Sequence, residues 1–265
     1  MNILKRSMVF ALLAVVVFGA SAQAQVLERV LESGELRVGV SGNQPPFNTK
    51  NRSGELMGLE VDLAKMLAGA FGVEAKFVVK PFGDLLAALD ASEVDIVMSG
   101  MAITAERSVD HEFVGPYMLS GKSILTNERA LTAAGQADFN RANLKLAALE
   151  NSTSQRFVER NLPDAQLVKV KDYDSGVQMV ISDEVDALVA DMPICILSVM
   201  RYPNDGLATL DQPMTVEPIG IAMPTSDARL KSVVESYISA FEGTGLLEQL
   251  RKKWLEDGSW VVALP

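Results

Sequence analysis

A single cysteine, Cys195, stands in 265 residues, so no internal disulfide staples the fold. Histidine is equally scarce. His111 is alone, and with no C-x-x-C spacing the chain lacks the ligand set of a structural zinc. A Ser-His-Asp triad would have to use that histidine, whose setting Asp110-His111-Glu112 reads as a surface loop. Positive charge is in deficit: 24 lysines and arginines face 34 acids, a net charge of −10 that repels a phosphate backbone unless a local basic groove exists. The longest close run of bases, Arg251-Lys252-Lys253, reads as a solvated helix face, so no nucleic acid, metal or other cofactor is expected. Long apolar runs are missing too, since Met8–Phe18 is too short for a comfortable membrane crossing. What remains, 48% hydrophobic and 22% charged residues, is ordinary for a globular protein of one or two domains with a core of useful size.

Lys5 and Arg6 precede the run Met8–Phe18, and small residues follow it through Ala24. That is the pattern of a secretory signal peptide over residues 1–24, cleaved at Ala22 or Ala24. No cysteine lies near the cleavage point to carry a lipid. Cleavage removes two bases and no acids, which takes the net charge from −10 to −12. An acidic, exported chain with no disulfide fits a Gram-negative periplasm, with export to the medium left open.

Apolar β-rich runs then alternate with helical patterns, the order that a parallel sheet with crossover helices requires. The fold class is α/β. A short helix from Val26 precedes a strand Leu36–Val40, and Leu59, Leu63, Met66, Leu67 and Ala70 share one face of a helix over 59–71, with Glu60, Asp62 and Lys65 off that face. Strand Ala75–Val79, helix Asp84–Ala91 and strand Val94–Met98 follow. The same grammar recurs as strand Leu144–Leu149, helix Ser154–Asn161, strand Gln166–Val170, helix Ser175–Ser182 and strand Ala187–Ala190. Ser123–Thr126 leads out of the first unit and Pro218–Met223 returns to it, before helical stretches Leu230–Glu242 and Leu246–Leu255. If the C-terminal segment packs on the first unit, the second is an insertion on two strands with a ligand cleft between lobes; tandem independent domains are the alternative.

Gly58-Leu59-Glu60-Val61-Asp62-Leu63-Ala64 resembles the signature of the extracellular solute-binding proteins of family 3, the polar amino-acid receptors of ABC importers. Pro46-Phe47, Val94-Asp95-Ile96, Ser99–Arg107, Gly115-Pro116-Tyr117, Val185-Asp186-Ala187, Asp191-Met192-Pro193 and Lys253-Trp254 follow in the family's order. The resemblance covers roughly residues 26–260. It implies a type II periplasmic-binding-protein fold: a discontinuous lobe of residues 25–124 and 220–265, and a second lobe of residues 125–219, joined by a two-strand hinge. It also implies a monomeric periplasmic receptor that captures a small ligand, an L-amino acid, and delivers it to an inner-membrane ABC permease.

A zwitterion must be desolvated at both charges, so its receptor needs a fixed cation and a fixed anion at one mouth. Arg107 and Asp191 are the candidates, each just past the carboxyl end of a strand, where α/β sheets bind ligands. The planar fork of arginine holds a carboxylate bidentately. From the residues alone, Arg107 equally suits a surface pair with Glu106 or Asp110, and Asp191 equally suits a helix N-cap. The resemblance assigns Arg107 to the ligand carboxylate and Asp191 to its ammonium. It also places Ser99, Gly100, Ala102 and Thr153 in the site, Thr153 in a turn where Asn151 replaces the usual glycine. Phe82 stands where an aromatic covers the ligand or else belongs to the core. Gln44 takes the place of a frequent aromatic and Ser41 that of an aspartate, so unless Glu150 points inward no anion awaits a cationic side chain, and a neutral amino acid is expected. The competing class is the cyclohexadienyl (arogenate) dehydratases, which resemble these receptors. There a glutamate is expected three residues past Asp191, where this chain has Ile194.

Overall fold

The computed structural model describes residues 26–127 and 139–265, and the expected signal peptide lies outside the described residues. In the first lobe, helix α1 (Val26–Ser33) leads into β1 (Glu35–Val40), and β2 (Asn43–Gln44), β3 (Asn48–Lys50) and β4 (Leu56–Met57) form a small antiparallel sheet. Helix α2 (Leu59–Phe71), β5 (Glu74–Val79), α3 (Leu85–Asp90) and β6 (Ile96–Val97) complete the unit. Two longer strands follow, β7 (His111–Ser120) and β8 (Lys122–Thr126). The second lobe runs β9 (Lys145–Leu149), α4 (Thr153–Asn161), β10 (Gln166–Val170), α5 (Tyr173–Ile181), β11 (Ala187–Asp191), α6 (Met192–Arg201) and β12 (Ala208–Thr209). The chain then returns through β13 (Glu217–Pro224), α7 (Ala228–Gly243) and α8 (Leu246–Arg251).

Each lobe is built on a five-stranded sheet, with order β5-β1-β6-β13-β7 in one and β10-β9-β11-β8-β12 in the other. In each, three parallel strands are joined by antiparallel ones. The parallel strands are buried runs such as Ala187-Leu188-Val189-Ala190, as strands covered on both faces must be. The C-terminal segment packs on the first lobe. Tyr237 donates to Ala70 O at 3.0 Å, and Lys253 Nζ and Trp254 Nε1 both donate to Asp62 Oδ2, at 2.6 and 2.9 Å. The second acid of the signature heptapeptide therefore anchors the Lys253-Trp254 pair, which explains why the two motifs occur together.

The polypeptide changes lobes at Gly121, because β7 ends in the first sheet at Ser120 and β8 begins in the second at Lys122. The expected boundaries at 124/125 and 219/220 cut through β8 and β13, whereas each strand stays whole within one sheet. Both changeovers sit side by side: Glu217 pairs with Ser120, the Lys122 N–H donates to Thr215 Oγ1 at 2.8 Å, and the Met214 N–H donates to Lys122 O at 2.7 Å. A Cβ on Gly121 would lie 1.9 Å from Thr215 O, so the crossing strands approach as closely as backbones can.

His111 is a second correction. It opens β7, is buried, and its Nε2 lies 3.0 Å from Asp90 Oδ1, so strand pairing with Pro224 has drawn the expected surface loop into the sheet.

Gly58 sets where α2 begins. Its φ is 137°, and a Cβ there would lie 2.2 Å from Phe47 O, the carbonyl that accepts the Glu60 N–H at 2.9 Å. No L-residue side chain fits that approach. Gly58→Ala should therefore lower the free energy of unfolding by about 3 kcal/mol in urea titrations. A change below about 0.5 kcal/mol, the range of neutral surface substitutions, would show that the turn relaxes freely.

Candidate functional site

Strand ends from both sheets point into the space between the lobes. On the first lobe, Ser41, Gln44, Asn48, Glu60, Ser99 and Tyr117 form one buried polar network. Ser99 Oγ donates to Gln44 Oε1 at 2.7 Å and accepts the Ser41 N–H at 3.0 Å, while Ser41 Oγ donates to Asn48 Oδ1 at 3.1 Å. Glu60 collects three donors: the Gly100 N–H and Asn48 Nδ2, each at 2.6 Å, and the Tyr117 hydroxyl. The structure thus brings Ser41, Gln44, Ser99 and Gly100 together, but their polar atoms bond to one another and to Glu60. Glu60 corrects the helical reading that put it off the apolar face, since it is fully buried. Burial pushes its carboxyl above the usual range, and the three donors oppose that shift.

Arg107 opens a short 3-10 turn, Arg107–Val109, just past Thr104, whose Oγ1 accepts the Arg107 N–H at 3.2 Å. The guanidinium is buried, donates from Nη1 to Ala102 O at 2.9 Å, and stands 5.7 Å from the centre of the Phe82 ring. Phe82 therefore serves as both core and platform. Burial lowers the Arg107 pKa to about 10, and Arg156 adds to the effect while Glu217 and Asp191 oppose it, so the group stays charged at neutral pH. No carboxylate pairs with it among the described residues. Glu106, the surface partner open to it in sequence, instead bridges to Arg156 of the second lobe at 2.8 Å.

Across the cleft, Asp191 ends β11 and precedes α6, with Pro193 in the first turn. Its carboxylate does not cap the helix. It accepts from Lys122 Nζ at 2.8 Å and from Ser120 Oγ at 3.4 Å, both on the same oxygen. Lys122 Nζ also lies 3.0 Å from Glu217 Oε2, which accepts the Thr153 hydroxyl at 2.9 Å. Burial raises the Asp191 pKa, which Lys122 lowers and Glu217 raises. Asn151 takes the left-handed φ of 59° that its place before the turn demands, and Ser152 caps α4 by accepting the Ser154 and Gln155 N–H groups. The Glu150 N–H extends the β9–β10 ladder, and its carboxylate enters none of these contacts. Cys195 is buried, with its thiol pushed up to about 12 chiefly by desolvation, and is inert.

The lobes are closed on one another. A Cβ on Gly83 would lie 2.6 Å from Asn151 Nδ2, and a cavity of about 230 Å³ between them is lined by Phe82, Arg107, Asn151 and Arg156. A larger cavity of about 420 Å³, walled by Met192, Met200, Trp254 and Trp260, lies between α6 and the C-terminal segment, and none of the expected site residues lines it. Sequence reading missed Lys122, Glu217, Asn48 and Tyr117. A lysine opening the strand Lys122–Thr126, just ahead of Ile124 and Leu125, was the available signal for the first of these.

Two α/β lobes joined by a double crossing and closed on one another define the type II periplasmic-binding-protein fold. Residues 36–257 match the model of the bacterial extracellular solute-binding proteins, family 3, and the chain belongs to that family. The L-cystine-binding protein TcyJ of Escherichia coli K12 is 27% identical over 250 residues, covering 93% of this chain and 92% of that one. The cyclohexadienyl dehydratase of Pseudomonas aeruginosa is 28% identical over 242 residues, 89% of each. The crystal structure of AncCDT-1, an ancestral amino acid-binding protein and precursor of cyclohexadienyl dehydratase, superposes with a TM-score of 0.80 at 31% identity, over 88% of this chain and all of that one.

Glu60 binds its proton more tightly folded than unfolded. Its contribution to stability is therefore complete below the ordinary value of 4.5 and is lost as pH rises through the folded value. Urea midpoints of the wild type should fall as pH rises above about 4.5, and those of Glu60→Gln should fall less steeply. Parallel pH profiles would acquit Glu60.

Proposed function

We propose that the protein is a periplasmic receptor that captures a small carboxylate ligand between its lobes and delivers it to an inner-membrane ABC permease. The observation that carries this reading is Arg107, a buried guanidinium at the cleft with no ion-pair partner among the described residues. A desolvated cation is costly unless an anion meets it, and the fork geometry suits a carboxylate. The family supports the class of cargo, since relatives with named ligands bind amino acids such as cystine and arginine. The dehydratase relative makes turnover of prephenate or arogenate the competing outcome, although Ile194, buried and apolar, stands where that chemistry would place its acid.

A thermal-shift screen of the mature protein against amino acids, opines and small organic acids identifies the cargo, because a ligand at a hundred times its dissociation constant adds roughly 2.7 kcal/mol. Against that ligand, Arg107→Ala should keep the fold and lower affinity by about 2 kcal/mol or more in calorimetry. Unchanged affinity would remove Arg107 from the site.

Capture also predicts motion. Small-angle scattering should show a smaller radius of gyration at saturating ligand than without it, as the lobes shift toward the closed arrangement. Identical profiles would count against a hinged receptor.

A further inference from the structure

Asp191 stands where the resemblance puts the acceptor of a ligand's α-ammonium, yet in this chain that acceptor already holds an ammonium. Lys122 Nζ lies 2.8 Å from Asp191 Oδ1 and 3.0 Å from Glu217 Oε2, and the residue is 1% exposed. Ser120 Oγ reaches the same Asp191 oxygen at 3.4 Å. Nothing comparable serves the opposite charge, since no carboxylate lies within ion-pair distance of Arg107 among the described residues. Arg107 is therefore a cation in need of an anion, and Asp191 an acid that has its cation.

We propose, on the reading that the cleft at Arg107 is the ligand site, that the cargo is a small carboxylate with no α-ammonium and that Lys122 is the residue that selects it. An ammonium brought to Asp191 would meet Lys122 at like charge in a buried setting, where repulsion is weakly screened. An ammonium has three donors; one is hydrogen-bonded to Asp191, and Glu217 pairs with the same group by charge at 3.0 Å. A donor not taken by Asp191 suits an oxygen on the carbon next to the ligand carboxylate, so the ligand class is the 2-oxo or 2-hydroxy acids. Glu217, the second acid of the cluster, is served by Lys122 and the Thr153 hydroxyl, with Thr215 Oγ1 at 3.4 Å. It needs no cation from the ligand.

Calorimetry on the mature protein with matched pairs tests this: L-glutamate and 2-oxoglutarate, L-leucine and 4-methyl-2-oxopentanoate, L-phenylalanine and phenylpyruvate, arogenate and prephenate. For the pair that binds, the oxo member should bind at least about tenfold tighter to the wild type, a difference of about 1.4 kcal/mol. Lys122→Met should reverse the order. That variant leaves two acids without their cation, so Lys122→Met/Glu217→Gln, which keeps the charge balance, is measured beside it. An amino acid bound as tightly as its oxo counterpart, or an oxo preference that survives in the double variant, overturns the inference and leaves the receptor reading intact. No heat from any pair overturns the inference and leaves the receptor reading to the thermal-shift screen, whereas oxo-acid binding that Arg107→Ala leaves unchanged overturns both.

Discussion

The ammonium of Lys122 ties the crossing between the two lobes together. Its residue follows Gly121 directly, so its backbone lies in the crossing and bonds to Thr215 and Met214 of the segment leading into β13, while its side chain joins the end of β11 to the start of β13. Buried ion pairs of this kind add little net stability over apolar packing, but removing one partner costs about 3–5 kcal/mol because the remaining charge is stranded. Such a cluster fixes geometry. It sets Asp191, Glu217 and Thr153 relative to one another at the place where the chain has least freedom, and so fixes the second-lobe wall of the cleft before any ligand arrives.

The first lobe solves the matching problem with a single carboxylate. Glu60 draws the Gly100 N–H, the Asn48 amide and the Tyr117 hydroxyl toward one point, which ties the loop after β6 to the small sheet and to β7. Gly58 makes this possible by letting α2 start hard against Phe47. Arg107 is then held by Thr104, Ala102 and Phe82 on an already rigid loop. Placing a buried charge without a counter-ion demands such support, because any slack would let the guanidinium turn toward solvent instead.

Much of this was legible in the residues. The alternation of strand and helix announced both sheets, and position near the carboxyl end of a strand made Arg107 and Asp191 candidates to which the family resemblance then gave roles. The small sheet β2-β3-β4 escaped because strands of two or three residues carry too few positions for a period of two to show. The crossing at Gly121 escaped because an apolar run says where a strand lies and nothing about which sheet it joins. Glu60 was misplaced because helical periodicity sorts residues by polarity, whereas its burial comes from polar partners far away in sequence. Lys122 was overlooked for the same reason, since its partners Asp191 and Glu217 come together only in the folded chain.

The pair of Glu106 and Arg156 at the rim of the cleft has a bearing on how the protein communicates. It joins the lobes, but Glu106 is 60% exposed, and exposed pairs contribute only about 0–1 kcal/mol. A clasp that weak adds little to hold the lobes together, so the closed arrangement rests on the rest of the contact between them. On the receptor reading proposed above, shape becomes a readout of content, because a partner that grips only the closed form senses the cargo without touching it.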